Sequence, residues 1–152
     1  MNSKDMIVDL YDERIRKPDF KYEIKRVLSP NSDLVLDFIG THFSKGWVSE
    51  SKSALYKANP SCFIAIDDKK IIGFACYDAT AKAYFGPTGV DEAYRGQGIG
   101  KVLLLTSLEA MRYDGYGYAI IGGVSEENRP FYANASGAVP IENSKKIYRR
   151  MI

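Results

Sequence analysis

A helical spacing of hydrophobic residues marks the part of the chain between residues 29 and 58. The first helix follows Ser29–Ser32, a stretch whose residues are typical of helix starts. Its apolar positions then recur every three or four residues, and they are Leu34, Val35, Phe38, Ile39 and Phe43. We expect Gly46–Trp47 to end this helix and Ser49 to cap a second, shorter helix that finishes before Asn59–Pro60.

Strand-like patterns dominate from residue 61 to residue 91. The apolar runs 62–66 and 70–77 flank Asp67–Lys69, which predicts a β-hairpin. With an even-numbered loop, Cys62 and Cys76 would face opposite sides of the sheet, so we expect them not to pair. A third strand begins at residues 83–85, is interrupted by 86–89 and resumes at Val90. Residues 22–27 alternate loosely and predict an earlier strand.

The second half of the chain alternates helices with strands. A wide apolar stripe predicts a helix over residues 98–114, with Gly115 just past its end. The nearly all-apolar run 118–124 is typical of a central strand. A short helix over 127–135 and a last strand over 145–152 follow, whereas residues 1–20 predict only an arm of undefined structure. The order of elements indicates a mixed α+β or α/β fold.

Composition and charge narrow the function classes. A chain of 152 residues predicts one domain, residues 1–152. The net charge of +2, from 21 Lys and Arg against 19 Asp and Glu, gives no electrostatic argument for a nucleic-acid partner. No apolar run is long enough for a membrane helix. Residues 1–12 lack the apolar stretch of a secretory signal, so we do not expect them to be one. Two cysteines without metal-site spacing favour a cytoplasmic protein without a metal.

The segment from Val90 to Lys101 carries the strongest chemical signal. It leaves a strand, passes through Gly96, Gly98 and Gly100, and enters the longest amphipathic helix. Closely spaced glycines let the backbone approach a ligand, and the first turn of a helix presents unpaired N–H groups. The segment therefore predicts an anion-binding site, usually one for phosphate. Arg95 and Lys101 add positive charge on either side.

Two common nucleotide motifs do not fit this segment. A P-loop needs a glycine five residues before Gly100, where Arg95 stands, and Ser or Thr after the lysine, where Val102 stands. A dinucleotide loop needs a third glycine where Lys101 stands, and no acidic residue lies near position 120 to hold a ribose. Both readings are therefore disfavoured.

The run 95–100, Arg-Gly-Gln-Gly-Ile-Gly, fits the pattern [QR]-x-x-G-x-[GA]. It resembles the pyrophosphate loop of the GNAT superfamily of acetyl-CoA-dependent N-acetyltransferases. The lead-in 90–96, the pair Phe131–Tyr132 and the turn at Gly137–Ala138 are similar to the family as well, although many members have Gly-Phe at that turn. The resemblance covers residues 22–152 and implies a splayed, twisted, mixed β-sheet with helices on both faces.

The resemblance also assigns roles to individual residues. The loop, with backbone amides from Gln97 to Lys101, would hold the CoA pyrophosphate, and the strand around Thr88–Val90 would pair with the pantetheine arm. Tyr132 would be the general acid for the leaving thiolate, and Asn128 would contact pantetheine. The predicted cofactor-binding set is Thr88, Gly89, Val90, Arg95, Gly96, Gln97, Gly98, Ile99, Gly100, Lys101 and Asn128. No metal site is expected.

Several of these assignments have structural alternatives. Tyr132 beside Phe131 could equally be a packing tyrosine, and Asn128, two residues before Pro130, is a good helix N-cap. His42 is more typical of a helix end than of a catalytic base. The candidates for the base are Asp78, Tyr84, Glu126 and Glu127, and the resemblance places the acceptor beside Trp47 and the turn 142–144.

The predicted function is transfer of an acetyl group from acetyl-CoA to a primary amine of a small molecule or peptide, by direct attack in a ternary complex. The alternative is a non-catalytic acyl-CoA sensor or interaction module on the same fold. A different acyl group, or a protein N-terminus as acceptor, is a further variant. A homodimer is compatible with the sequence, which does not name the acceptor.

Overall fold

A computed structural model describes residues 3–144 and 146–152 of the chain. Its strands are β1 (Lys4–Asp9), β2 (Glu23–Arg26), β3 (Cys62–Asp67), β4 (Lys70–Tyr77), β5 (Tyr84–Val90), β6 (Tyr118–Val124) and β7 (Val139–Pro140). Its α-helices are α1 (Ser32–His42), α2 (Lys45–Leu55), α3 (Ile99–Tyr113) and α4 (Arg129–Ser136). Short 3₁₀ turns cover 29–31, 92–94, 126–128 and 146–150.

The strands form one seven-stranded sheet in the order β2-β3-β4-β5-β6-β1-β7. Only β5 and β6 run parallel, and their register contains just two pairs, Tyr84–Ile120 and Phe85–Ile121. Beyond Phe85, β5 stays paired with β4 through Val90 and diverges from β6. The predicted splay is therefore present, and it opens a gap at the middle of the sheet.

Two apolar cores cover the two faces of the sheet, as predicted. Side chains alternate along β3, so Phe63 joins the core under α3, whereas Ile64 joins the core under α1 and α2. In α3, the predicted stripe buries Leu103, Leu104 and Leu108. The fold is the mixed sheet with flanking helices that the sequence predicted.

The N-terminal arm corrects the sequence prediction, because residues 4–9 form a strand inside the sheet. Strand β1 pairs antiparallel with β6 on one side and β7 on the other. Met6 and Val8 are fully buried, and the buried Asp5 accepts a hydrogen bond from the Gly123 N–H at 2.9 Å. The alternation is only six residues long and includes three charged residues, so its period was hard to detect.

The predicted last strand over 145–152 is wrong. Lys145 lies outside the described residues, and 146–150 form a 3₁₀ turn. Strand β1 already occupies the edge of β6 that faces away from β5, and the turn instead brings Tyr148 over Gly122 and Gly123 of β6.

Three local predictions also need correction. Cys62 and Cys76 lie directly opposite each other on the same face, both buried and both free. A register shift after Ala65 adds one residue to β4. Beyond this shift, each β4 side chain lies on the opposite face from the one that the hairpin loop alone would give it. Strand β5 runs continuously through Pro87. Helix α2 begins at Lys45, because the Ser44 Oγ accepts a hydrogen bond from the Trp47 N–H at 3.1 Å.

We expect Met6→Ala to destabilise the protein, because Met6 is fully buried in the core under α3. Truncation of a buried methionine to alanine typically costs about 2–5 kcal/mol of unfolding free energy. Val139→Ala on β7 is the matched control, since Val139 is 56% exposed. Urea unfolding of the two variants measures the difference, and equal small losses would mean that β1 is not part of the cooperative core.

Candidate functional site

The gap between β5 and β6 forms a central cleft of about 610 Å³. Strand β5 contributes Phe85–Thr88, and β6 contributes Ile121–Val124. Asn128 and Tyr132 line one part of the cleft, and Trp47, Glu50, Thr80 and Tyr148 also line it. Since β5 lacks a partner on this side beyond Phe85, its backbone groups face a space in which an extended ligand fits.

The glycine-rich loop leads from the end of β5 into α3. Gly96 and Gly98 have φ angles of +83° and +84°, which side chains rarely tolerate, and Gly98 is the N-cap of α3. The first intrahelical bond runs from the Val102 N–H to the Gly98 carbonyl at 3.2 Å. The amides of residues 99–101 therefore have no acceptor within the helix, and the positive end of the helix dipole adds to their attraction for an anion.

Neighbouring side chains fix the shape of this loop. The Asp91 carboxylate caps the turn before it by accepting from the Ala93 N–H at 3.0 Å. The Tyr22 hydroxyl donates to the Gln97 Oε1 at 3.0 Å, which ties the loop to the segment before β2. Arg95 and Lys101 are exposed on the two sides of the loop. The loop thus has a fixed shape, unpaired amides and flanking positive charge, an arrangement that can bind an anion.

Gly100 connects the loop to the cleft. A Cβ atom on Gly100 would lie 3.8 Å from the Val90 side chain and 4.0 Å from the Phe131 ring. The first turn of α3 therefore stands at the mouth formed by the end of β5 and the start of α4. Phe131 packs edge-on against the Tyr132 ring, with centroids 5.0 Å apart, so the loop, the mouth and Tyr132 are neighbours along one path.

Tyr132 is half-buried and lines the cleft. Burial raises the pKa of its hydroxyl above the ordinary value of 10, so the hydroxyl keeps its proton throughout the neutral pH range. Helix α4 holds the residue, and the Ser136 hydroxyl donates to the Tyr132 carbonyl at 2.7 Å. A protonated hydroxyl in a cleft can donate a proton to a leaving group.

The structure places the other predicted cofactor residues on or beside the cleft. Asn128 occupies the N-cap position of α4 without a capping hydrogen bond from its side chain, and it lines the cleft. The Thr88 hydroxyl donates to the Phe74 carbonyl at 3.0 Å. Gly89 lies directly under the Phe43 ring, where a side chain would clash. Val90 continues the strand towards the loop.

The four candidate bases do not line the cleft. The Asp78 carboxylate is occupied in its own turn, because it accepts from the Ala83 N–H at 2.8 Å and from the Tyr116 hydroxyl at 3.0 Å. Tyr84 lines a separate cavity together with the turn 142–144. Glu126 and Glu127 lie on the exposed turn before α4. The acceptor was expected beside Trp47 and the turn 142–144, and of these only Trp47 lines the cleft.

Sequence reasoning missed three polar residues of the cleft, which are Glu50, Thr80 and Tyr148. The Thr80 hydroxyl donates a short hydrogen bond to the Glu50 carboxylate. Burial raises the pKa of Tyr148 to about 12, and the negative charges of Glu50 and Asp5 act in the same direction. Glu50 follows Trp47 by three residues on α2, and this spacing is the one signal that could have placed it beside the predicted acceptor wall.

His42 lies near the same end of the sheet without lining the cleft. Its Nε2 atom is 3.9 Å from the Oδ2 atom of the buried Asp91, which precedes the glycine-rich loop. Its ring packs at a tilt on Phe38, with centroids 4.6 Å apart. The position fits a residue that ends α1 and not one that meets a substrate.

None of the described helices has the length and hydrophobicity to cross a membrane. Within residues 3–144 and 146–152, no three His, Cys, Asp or Glu side chains are grouped as metal ligands.

A family comparison decides the affiliation of the chain. The sequence model of the acetyltransferase (GNAT) family matches residues 31–137, a segment that spans the glycine-rich loop and Tyr132. The chain belongs to the GNAT family. This is a family of acetyl-CoA-dependent acyltransferases, and the resemblance seen in residues 90–101 is thereby confirmed. Strands β1, β2 and β7 lie outside the matched segment.

Solved structures with the same fold support this affiliation. A GCN5-related N-acetyltransferase from Sphaerobacter thermophilus is similar over 91% of this chain and 48% of its own, with 17% identity and a TM-score of 0.69. A GNAT-family N-acetyltransferase from Escherichia coli, solved with CoA, is similar over 66% of this chain and 62% of its own, with 20% identity and a TM-score of 0.50. This chain thus spans about half of the first protein's length and under two thirds of the second's.

A third structure is an aminoglycoside acetyltransferase from an uncultured soil metagenomic sample, in complex with sisomicin. It is similar over 75% of this chain and 86% of its own, with 17% identity and a TM-score of 0.55. At these identities the likeness concerns the fold alone. No curated protein sequence matches the chain.

Proposed function

We propose that the protein is an N-acetyltransferase that moves an acetyl group from acetyl-CoA to a primary amine of a small molecule or peptide. The observation that carries the proposal is one continuous path, from the anion-binding loop at Gly98, past Gly100 and Phe131, into the cleft where β5 and β6 separate and Tyr132 lies. A nucleotide thioester is long, anionic at one end and reactive at the other, and it matches such a path. The described residues would act together as one acetyltransferase domain.

The proposed cofactor orientation follows from the charges. The CoA pyrophosphate would lie on the amides of residues 97–101, with Arg95 and Lys101 at its sides. The pantetheine arm would extend along Thr88–Val90, where its amides can pair with the free edge of β5. The thioester would then reach the part of the cleft that Asn128 and Tyr132 line.

The proposed chemistry is direct attack within a ternary complex. The neutral amine nitrogen forms a bond to the thioester carbon and gives up one proton to a base or a water relay. The tetrahedral intermediate then collapses, the carbon–sulfur bond breaks, and the sulfur takes a proton from the Tyr132 hydroxyl. Tyr132 recovers a proton from solvent, which balances the proton that the amine released. The products are the acetylated amine and CoA. A backbone amide near the divergence of β5 would stabilise the developing oxyanion.

Binding of acetyl-CoA is the first expected result. A ligand at 100 times its dissociation constant stabilises the native protein by about 2.7 kcal/mol. We therefore expect acetyl-CoA and CoA to raise the melting temperature in a concentration series, while NAD and ATP at the same concentrations give much smaller shifts. No response to millimolar acetyl-CoA would contradict the proposal.

The second candidate is a non-catalytic acyl-CoA-binding module, which the same loop and cleft could serve. Release of free CoA with a broad panel of primary amines separates the two functions. Transfer to any amine, with formation of its acetyl derivative, supports the enzyme. Tight acetyl-CoA binding without CoA release on the whole panel would favour the binding module.

A further inference from the structure

The central cleft shares a wall with a second cavity. An outer groove of about 780 Å³ lies beside the cleft, and the same four side chains line both spaces. These four, which we term the shared wall, are Trp47, Glu50, Thr80 and Tyr148. A molecule that enters through the outer groove therefore meets the shared wall before it reaches the cleft.

The shared wall carries one negative charge. Among the described residues that line either space, Glu50 is the only acidic one, and no Lys or Arg lines the central cleft. Arg150 is the single basic residue among those described at the outer groove. Glu50 is thus the carboxylate at the described lining of the cleft, the buried Asp5 adds negative charge from beyond that lining, and a positive charge lies farther out.

A hydrogen bond holds the Glu50 carboxylate in place. The Thr80 hydroxyl donates its only proton to the Glu50 Oε2. A carboxylate has about four acceptor positions, so Glu50 retains the capacity to bind an ammonium group.

The rest of the outer groove is largely apolar. The Trp47 ring is fixed by its contacts with the Phe43 and Phe74 rings, at centroid distances of 5.3 and 6.1 Å. Ile147 and Met151 line the groove from the C-terminal segment. An apolar body of a few carbon atoms or one aromatic ring can be buried there while its polar end reaches Glu50.

We propose that Glu50 is the specificity-determining residue for the acceptor, and that the acceptor is a primary amine with a single positive charge on a compact apolar body. The inference rests on the proposed N-acetyltransferase function and names its substrate class. Glu50 pairs with the ammonium group, and the apolar body lies against Trp47. The bound ammonium group loses one proton to solvent before the neutral nitrogen attacks the thioester. A second or third cation finds no carboxylate among the described lining residues and meets Arg150, so polycationic amines are disfavoured.

The single tryptophan of the chain makes amine binding directly measurable. Trp47 fluorescence is followed while 2-phenylethylamine, 2-phenylethanol or spermidine is added to the full-length protein, with and without saturating CoA. The amine and the alcohol share one apolar body and differ in the charged group. We expect the amine to bind about tenfold more tightly than the alcohol, as a charge-assisted hydrogen bond provides, and spermidine to bind more weakly than the amine.

Three variants assign the preference to Glu50. Glu50→Gln retains an acceptor for Thr80 and should bind the amine only as tightly as the alcohol, whereas Glu50→Asp keeps the charge and should retain part of the preference. Glu23→Gln, at an exposed position on β2, makes the same charge change and should behave as wild type. Unaltered preference in Glu50→Gln, equal binding of amine and alcohol by wild type, or spermidine binding at least as tight as the amine would each overturn the proposal.

The two proposals fail in distinguishable ways. An amine preference that depends on Glu50, without any thermal shift by acetyl-CoA, would leave the present inference standing and remove the acetyltransferase. CoA binding and acetyl transfer with an amine preference insensitive to Glu50→Gln would do the reverse. The fluorescence titration reports on binding, so it does not require turnover.

Discussion

Gly98→Val should weaken CoA binding by at least about 100-fold, which corresponds to the loss of two charge-assisted hydrogen bonds. Gly98 is the N-cap of α3, and its φ of +84° aims the following amides towards the expected pyrophosphate. A valine is strained at this φ, and its Cβ atom would lie 3.8 Å from the Phe20 ring. We therefore expect the loop backbone to shift and to move those amides away from the phosphates. Isothermal titration with CoA measures the effect.

The same substitution also strains the fold, so a matched control is needed. A left-handed backbone costs about 1–2 kcal/mol for a residue with a Cβ atom, more for a branched one. Gly115 has a φ of +103°, has open space around it, and lies at the opposite end of α3. Gly115→Val should therefore lose comparable stability while binding CoA as wild type. Equal losses of CoA affinity in both variants would mean that the loop has only a structural role.

Gly100→Ala should change stability and CoA affinity in opposite directions. Gly100 is helical and an added Cβ would make only ordinary contacts with Val90 and Phe131. Replacing glycine by alanine in a helix typically stabilises it by about 0.5–1 kcal/mol. We expect a higher melting temperature for Gly100→Ala together with weaker CoA binding, since the methyl group stands at the mouth of the cleft.

The elements that could be predicted from the sequence are those with long, regular patterns. Helix α3 has an apolar stripe over four turns and a glycine at its end, and its observed range Ile99–Tyr113 agrees with the predicted 98–114. The divergence of β5 from β6 was expected from the resemblance to the GNAT superfamily, and the Gly86–Pro87 pair inside the apolar strand agrees with it. At these positions the local sequence pattern favours the same conformation that the tertiary structure needs.

The elements that could not be predicted depend on partners distant in sequence. Strand β1 is stabilised by β6 and β7, more than 100 residues later, and its own six residues carry little pattern. The facing of Cys62 and Cys76 depended on one bulge at Ala65, because a shift by a single residue reverses every side chain beyond it. The C-terminal segment could not pair with β6, whose edge β1 already occupies.

The candidate site divides in the same way. Its proposed cofactor end is built mainly from one contiguous segment, 88–101, whose glycines and charges are visible in the sequence. Its proposed acceptor end combines α2, the turn after β4 and the C-terminal segment, so Glu50, Thr80 and Tyr148 come together only in the folded chain. The local sequence around a single polar residue does not show which distant residues it will contact in the fold.

Tyr132→Phe should lower kcat by about 100-fold and leave acetyl-CoA affinity nearly unchanged. General acid catalysis contributes about 10²–10⁴-fold. The leaving thiol has a pKa near 8.5 by analogy with cysteine, which makes a thiolate a tolerable leaving group and argues for the low end. The substitution removes one oxygen and keeps the ring that packs on Phe131, so the stability of α4 should persist.

Steady-state kinetics with a good acceptor, together with CoA titration, tests this role. Tyr118→Phe is the control, since Tyr118 begins β6, is 61% exposed and lies outside the cleft. Because burial raises the pKa of Tyr132, the hydroxyl stays protonated in the neutral range, and the loss should be the same at pH 7 and pH 8. Turnover within about threefold of wild type would place Tyr132 among the packing residues, because a lost proton donor typically costs at least about 100-fold, and the proton for the thiolate would then come from water.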